Sequence, residues 1–326
     1  MNNKTIIPHL YCLFLLLPVG ARSFSATSPV EQGTVNSIET SQAQGQSSNN
    51  TSSVYGAAVL LATLEDQAIS ESSGIVASRH NTDLFWTHND SRLGPFIYAF
   101  DRYGRSAGVW RVTGARARDW EDIAVGPGAS EGTSYLYIGD IGDNSRTREE
   151  IIVYRVVEPT ITSADIGSSR TNPLHTEASE AFHLKYSDGK HNAEALMVHP
   201  QTGDIYIVTK TSAAVAKVYK AKAPFDSVTV TSLNFVSEVS VLGKVTGADI
   251  SPDGLRVVLC DYLRAYEISL PWTSSDFDDI WKQPSIMIPF GTRQQGEAVC
   301  YRLDGKAILG TSEKTPTPLI EVLQSE

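Results

Sequence analysis

From about residue 53 onward, hydrophobic positions fall in short runs rich in β-branched and aromatic residues, separated by polar turn residues, with little helical periodicity. That pattern predicts an all-β chain. The runs also repeat. Five segments open on an acidic or small residue and continue as a short apolar strand: Glu71–Ala77, Trp120–Val125, Ala193–Val198, Thr246–Ile250 and Gly296–Cys300. They recur about every fifty residues, with one longer interval between the second and third. A turn follows each (His80–Asp83, Pro127–Ser130, Pro200–Asp204, Ser251–Gly254, Leu303–Lys306), and then a second, third and fourth strand. The last unit reaches the C-terminus one strand short, and residues 54–64 can supply it. Four-stranded units of this length predict a β-propeller of five blades, with the N-terminal strand closing the last blade and covering its open edge. A sixth, degenerate blade between Glu158 and Asp188 is the alternative, and a long loop over 159–178 is the simpler account. Residues 273–282 predict one short capped helix.

The chain ahead of this repeat reads differently. Residues 1–26 carry one cation, Lys4, ahead of an apolar run from Leu10 to Val19, and small residues at Gly20-Ala21 follow, the pattern of a secretory signal peptide with Arg22 beyond it. The run is shorter than the roughly 20 residues that a membrane span needs. Residues 27–52, rich in Ser, Gln and Asn, predict a disordered linker, leaving 53–326 as the folded domain. Export follows: secreted or extracellular, or periplasmic in a Gram-negative host.

The chain has too little positive charge for nucleic acid. Lys plus Arg total 27 against 37 Asp plus Glu, a formal net charge of -10. No later window is long and apolar enough for a membrane helix. A monomer is expected. With Cys12 in the signal, Cys260 and Cys300 are left either to bridge or to serve as two buried hydrophobes. Asn49, Asn50 and Asn89 stand in glycosylation patterns that matter only in a eukaryotic host. Gly128-Ala129-Ser130-Glu131-Gly132 matches a hydrolase elbow but falls on a predicted hairpin, without the strand and helix that an elbow needs.

Several motifs carry a resemblance. Trp86-Thr87-His88-Asn89-Asp90-Ser91, Asp119-Trp120-Glu121-Asp122-Ile123-Ala124, Gly139-Asp140-Ile141-Gly142-Asp143-Asn144, Ala193-Glu194-Ala195-Leu196 and Thr246–Gly254 make the chain similar to exported, mostly uncharacterised bacterial β-propeller proteins, loosely grouped as phytase-like and SdiA-regulated. The resemblance implies the fold and no particular activity, because one propeller scaffold hosts many chemistries.

In a propeller, the starts of the first strands and the loops after the second strands share one face. Here they bring Glu71, Asp119, Glu121, Asp122, His191, Asn192, Glu194, Asp249 and Glu297 together with His88, Asn89, Asp90, Asp140, Asp143, Asn144, Lys210, Asp261, Glu313 and Lys314. Converging carboxylates must protonate, pair with Lys or Arg, or bind a cation. Hard oxygen donors favour Ca2+ over Mg2+. The expected cation ligands are Glu121, Asp122, Glu194 and Glu297, with Asp140 and Asp143 contributing; the alternative is that these residues cap strands and pair with Arg116, Arg118, Lys210 or Lys314. His88 and His191 are candidate acid–base groups, and Lys210 and Lys314 candidate anion holders. Two functions follow: binding of a cation with a small-molecule or peptide-like ligand, or calcium-assisted hydrolysis of phosphate esters. The sequence does not decide whether the protein is an enzyme.

Overall fold

The computed structural model describes residues 54–90, 93–241 and 243–325. The expected signal peptide (1–26) and linker (27–52) lie outside the described residues. The fold is all-β. In chain order, β1 (Val59–Thr63) precedes a first antiparallel group, β2 (Ser72–Ala77), β3 (Leu84–Asn89), β4 (Phe96–Asp101) and β5 (Ser106–Thr113). Next come β6 (Trp120–Pro127), β7 (Ser134–Asp140) and β8 (Ile151–Val157); β9 (Leu174–Ala178) then returns to pair parallel with β5, and β10 (Glu180–Tyr186) completes the second group beside β8. The third group is β11 (Ala193–Val198), β12 (Ile205–Thr209), β13 (Val215–Ala221) and β14 (Thr231–Ser240). The fourth is β15 (Gly247–Ile250), β16 (Arg256–Cys260), β17 (Arg264–Ser269) and β18 (Ile286–Pro289). Finally β19 (Gly296–Tyr301), β20 (Ala307–Ser312) and β21 (Pro318–Leu323) are joined by β1, which pairs antiparallel with β21.

The first strands of the groups meet one another in a cycle: β2 packs on β6, β6 on β11, β11 on β15, β15 on β19, and β19 on β2. Five hydrophobic clusters fill the seams between consecutive groups. This explains the continuous apolar runs. β2, β11, β12, β19 and β20 are buried along their whole length, so most positions on both faces are apolar, whereas the outer β14 buries only Leu233 and Val239. Trp86 packs edge-on against Trp110, and Trp120 is buried in the same seam. The first hairpin of each group carries a left-handed residue shortly before its second strand (Asp83, Gly132, Gly203, Gly254, Gly305).

Three details differ from the expectation. The stretch 159–178 is not all loop, because β9 covers the outer edge of β5 and Thr176 Oγ1 accepts the Thr113 N–H at 3.0 Å. The second and third groups share one eight-stranded sheet through a parallel β10–β14 pairing, which satisfies both outer edges. The predicted helix is a 3-10 turn, Phe277–Lys282, capped by Asp276. Cys260 and Cys300 are buried free thiols. Among the described residues no helix is long and apolar enough to cross a membrane.

Candidate functional site

The innermost strands share an irregularity that the sequence does not announce. In β2, β6, β11 and β19 the register to the second strand slips at one residue: between Ser72 and Gly74, Trp120 and Asp122, Ala193 and Ala195, Gly296 and Ala298. The bulged residues are Ser73, Glu121, Glu194 and Glu297. β15 pairs without a slip and has Gly247 at that place. A bulge re-aims its side chain, and here it takes three glutamates from three separate strands to one acidic group.

The electrostatics record that meeting. Lys210, just after β12, makes an ion pair with Glu194 Oε2, and its Nζ lies 4.0 Å from Glu297 Oε2. Burial, reinforced by the charges of Glu194, Asp90 and Asp119, pushes Glu121 well above the ordinary carboxylate range. Burial also pushes Glu194 up to about 7 and Glu297 up to about 8, although Lys210 pulls both down. Glu313 is raised as well, by burial and by the charges of Asp90 and Glu71. Lys210 is held above its ordinary value by Glu194 and Glu297 despite its own burial. Glu297 accepts from Gln295 Nε2 at 2.9 Å through Oε1, while its buried Oε2 has no hydrogen-bond partner among the described residues.

One part of this group brings three carboxylates close enough that they could hold a cation. Asp90, Asp119 and Glu121 each offer a carboxylate oxygen, and the three oxygens lie within 4.8 Å of one another. Ca2+ binds oxygen at about 2.3–2.6 Å, so ligands on opposite sides of the ion stand up to roughly 5 Å apart; Mg2+, at about 2.0–2.1 Å, needs a tighter set. Gly142 leaves room for the cluster, since a Cβ there would overlap Glu121 Oε1 and Asp119 Oδ2. The Gly142→Ala variant is therefore expected to displace both carboxylates, costing about 1–3 kcal/mol and abolishing any stabilisation by calcium. Thermal melts with calcium and with chelator check this.

The other sequence candidates are placed differently. Asp122 is fully buried and holds strands together: it accepts the Ile123 and Leu196 N–H groups at 2.9 Å and that of Ala248 at 3.3 Å, linking β6, β11 and β15. Asp140 accepts from Arg148 Nη1 at 2.7 Å and from the Arg118 N–H. Asp143 accepts the Thr147 and Arg148 N–H groups. Both carboxylates are taken up by N–H groups of the neighbouring loops, and Asp140 pairs with Arg148 rather than with Arg116, Arg118, Lys210 or Lys314. His88 is completely buried, its Nδ1 2.9 Å from Asn89 O, and burial lowers its pKa, favouring the neutral ring. His191 is bonded to Asp188 and Tyr219. Lys314 pairs with Glu313 at 3.4 Å. Asn89, a glycosylation pattern residue, is buried with its amide committed to Ala68 O and its Oδ1 to the Ser70 and Glu71 N–H groups, which leaves no room for a glycan. The Gly128–Gly132 pentad lies between β6 and β7, with no helix after it.

Asp90 and Asp119 were legible as residues of this face but not as members of one cluster. The signal was sequence proximity: Asp119 and Glu121 stand two residues apart at the start of β6. The chain matches no known protein-family model, and no match was found among curated proteins.

Proposed function

We propose that the protein is a five-bladed β-propeller that binds a divalent cation, calcium foremost, at an acidic central face, and recognises a small or peptide-like ligand there. The cyclic packing of the five first strands and the five hydrophobic seams support the architecture. The observation that carries the function is the approach of Asp90, Asp119 and Glu121 oxygens to within 4.8 Å. Mutually repelling and wholly or partly buried, these groups gain most from a positive ion. An exported protein meets calcium at high concentration, so a site as weak as that of extracellular modules, about 10⁻⁴–10⁻³ M, suffices.

The hydrolase reading has less support. Lys210 is spent on Glu194 and Lys314 on Glu313, so neither is free to hold a phosphate, and His88 is sealed from solvent. Calcium at about a hundredfold excess over its dissociation constant adds roughly 2.7 kcal/mol, which is a rise of about 5–10 °C in melting temperature for a domain of this size. Asp119→Asn is expected to remove that rise while leaving the fold intact. No rise in the unaltered chain would overturn the proposal.

A further inference from the structure

The first strands leave one gap among the side chains they bring together. Ser73, Glu121, Glu194 and Glu297 stand at the bulges, whereas β15 has Gly247 at that place and adds no side chain between its neighbours β11 and β19. Lys210 serves the gap. Its N–H donates to Asn192 O at 3.0 Å, which fixes the residue beside the start of β11. From there the side chain sets its ammonium against Glu194 Oε2, 4.0 Å from Glu297 Oε2 and 5.1 Å from the centre of the Tyr262 ring in the loop after β16. One ammonium thus faces carboxylates from two strands that β15 separates.

The match is incomplete. Glu194 and Glu297 are 4% and 3% exposed, so each needs a counter-charge. The ammonium carries one charge for the two, and at 4.0 Å it is beyond hydrogen-bond reach of Glu297 Oε2, which has no hydrogen-bond partner among the described residues. Gln295 satisfies only the other oxygen. Two carboxylates balance a divalent ion better than an ammonium, and hard oxygen donors favour Ca2+. Both Oε2 atoms lie within 4.0 Å of Lys210 Nζ, so shifts of up to about 1.5 Å would bring them to the roughly 2.3–2.6 Å of a calcium bond. Although burial works against it, the two carboxylates keep the ammonium charged, and the position stays filled.

We propose that Lys210 is a resident cation that fills a second calcium position, between Glu194 and Glu297, so that the central face takes one free ion instead of two. The count of one rests on the calcium reading of Asp90, Asp119 and Glu121, and the experiment separates the two. Equilibrium dialysis of the full chain at pH 8 in about 5 mM calcium, above the weak end of calcium affinities near 10⁻³ M, counts ions per chain. One ion is expected for the unaltered protein, two for Lys210→Gln, and one again for Lys210→Gln with Glu297→Gln. Near-ultraviolet circular dichroism checks that each variant folds in calcium. A Lys210→Gln chain that stays unfolded in calcium, or binds no more ions than the unaltered chain, would overturn the proposal; so would an added ion that survives Glu297→Gln. If the unaltered chain binds none, the calcium reading falls, while a single ion in Lys210→Gln, lost in the double variant, still upholds this one.

Discussion

Asp122→Ala lowers the melting temperature by about 10 °C. The carboxylate is wholly buried and accepts backbone N–H groups from its own strand and from β11 and β15, so the truncation strands three donors where water does not reach. Each stranded donor costs about 1–3 kcal/mol. Relaxation recovers part of that, leaving a loss of roughly 4 kcal/mol, and each kcal/mol moves the midpoint by about 2–4 °C in a domain this large. Asp122→Asn keeps a carbonyl oxygen in place and should lose about half as much. A melting temperature unchanged in the alanine variant would mean that the side chain does not tie the inner strands together, and would count against their convergence.

The calcium-free protein loses stability as pH rises from about 5 to 8. Glu194 and Glu297 titrate near 7 and 8 in the fold, against an ordinary value of 4.5. Between those limits the folded chain keeps protons that the unfolded chain has released, so raising the pH favours unfolding. Their stabilising contribution is complete below about pH 4.5 and gone above about pH 8. Each tenfold difference in proton affinity between the folded and unfolded chain corresponds to about 1.4 kcal/mol. The groups are buried and share Lys210, so their combined contribution is on the order of 4 kcal/mol. A bound cation favours the ionised forms, and calcium should flatten the slope. Melts across this range, with calcium and with chelator, read both effects. Glu194→Gln with Glu297→Gln should also flatten it; a slope unchanged in that double variant would show that other groups cause it.

The fold was largely written in the order of apolar runs, because strands buried on both faces are apolar at most positions. β11 and β12 were readable for that reason, and so was the turn that recurs before each second strand. β9 escaped because an outer strand buries only part of one face: Leu174-His175-Thr176-Glu177-Ala178 reads as loop until β5 is beside it. The site was legible in outline. Acidic residues at the starts of the first strands pointed to one cluster, and Glu121, Glu194 and Glu297 do share Lys210 or one another as electrostatic neighbours. The ligand role expected of Asp140 and Asp143 is not what their contacts show, and nothing in their spacing reveals that Arg148 and its backbone N–H claim them. The bulges that aim the glutamates depend on cross-strand register, a property of the paired strands rather than of either one.

Equilibrium dialysis against radioactive calcium at pH 8 counts bound ions in the full chain and in Glu121→Gln. One ion per chain, lost in the variant, is the expected outcome. No bound ion, or the same number in both proteins, would contradict the account.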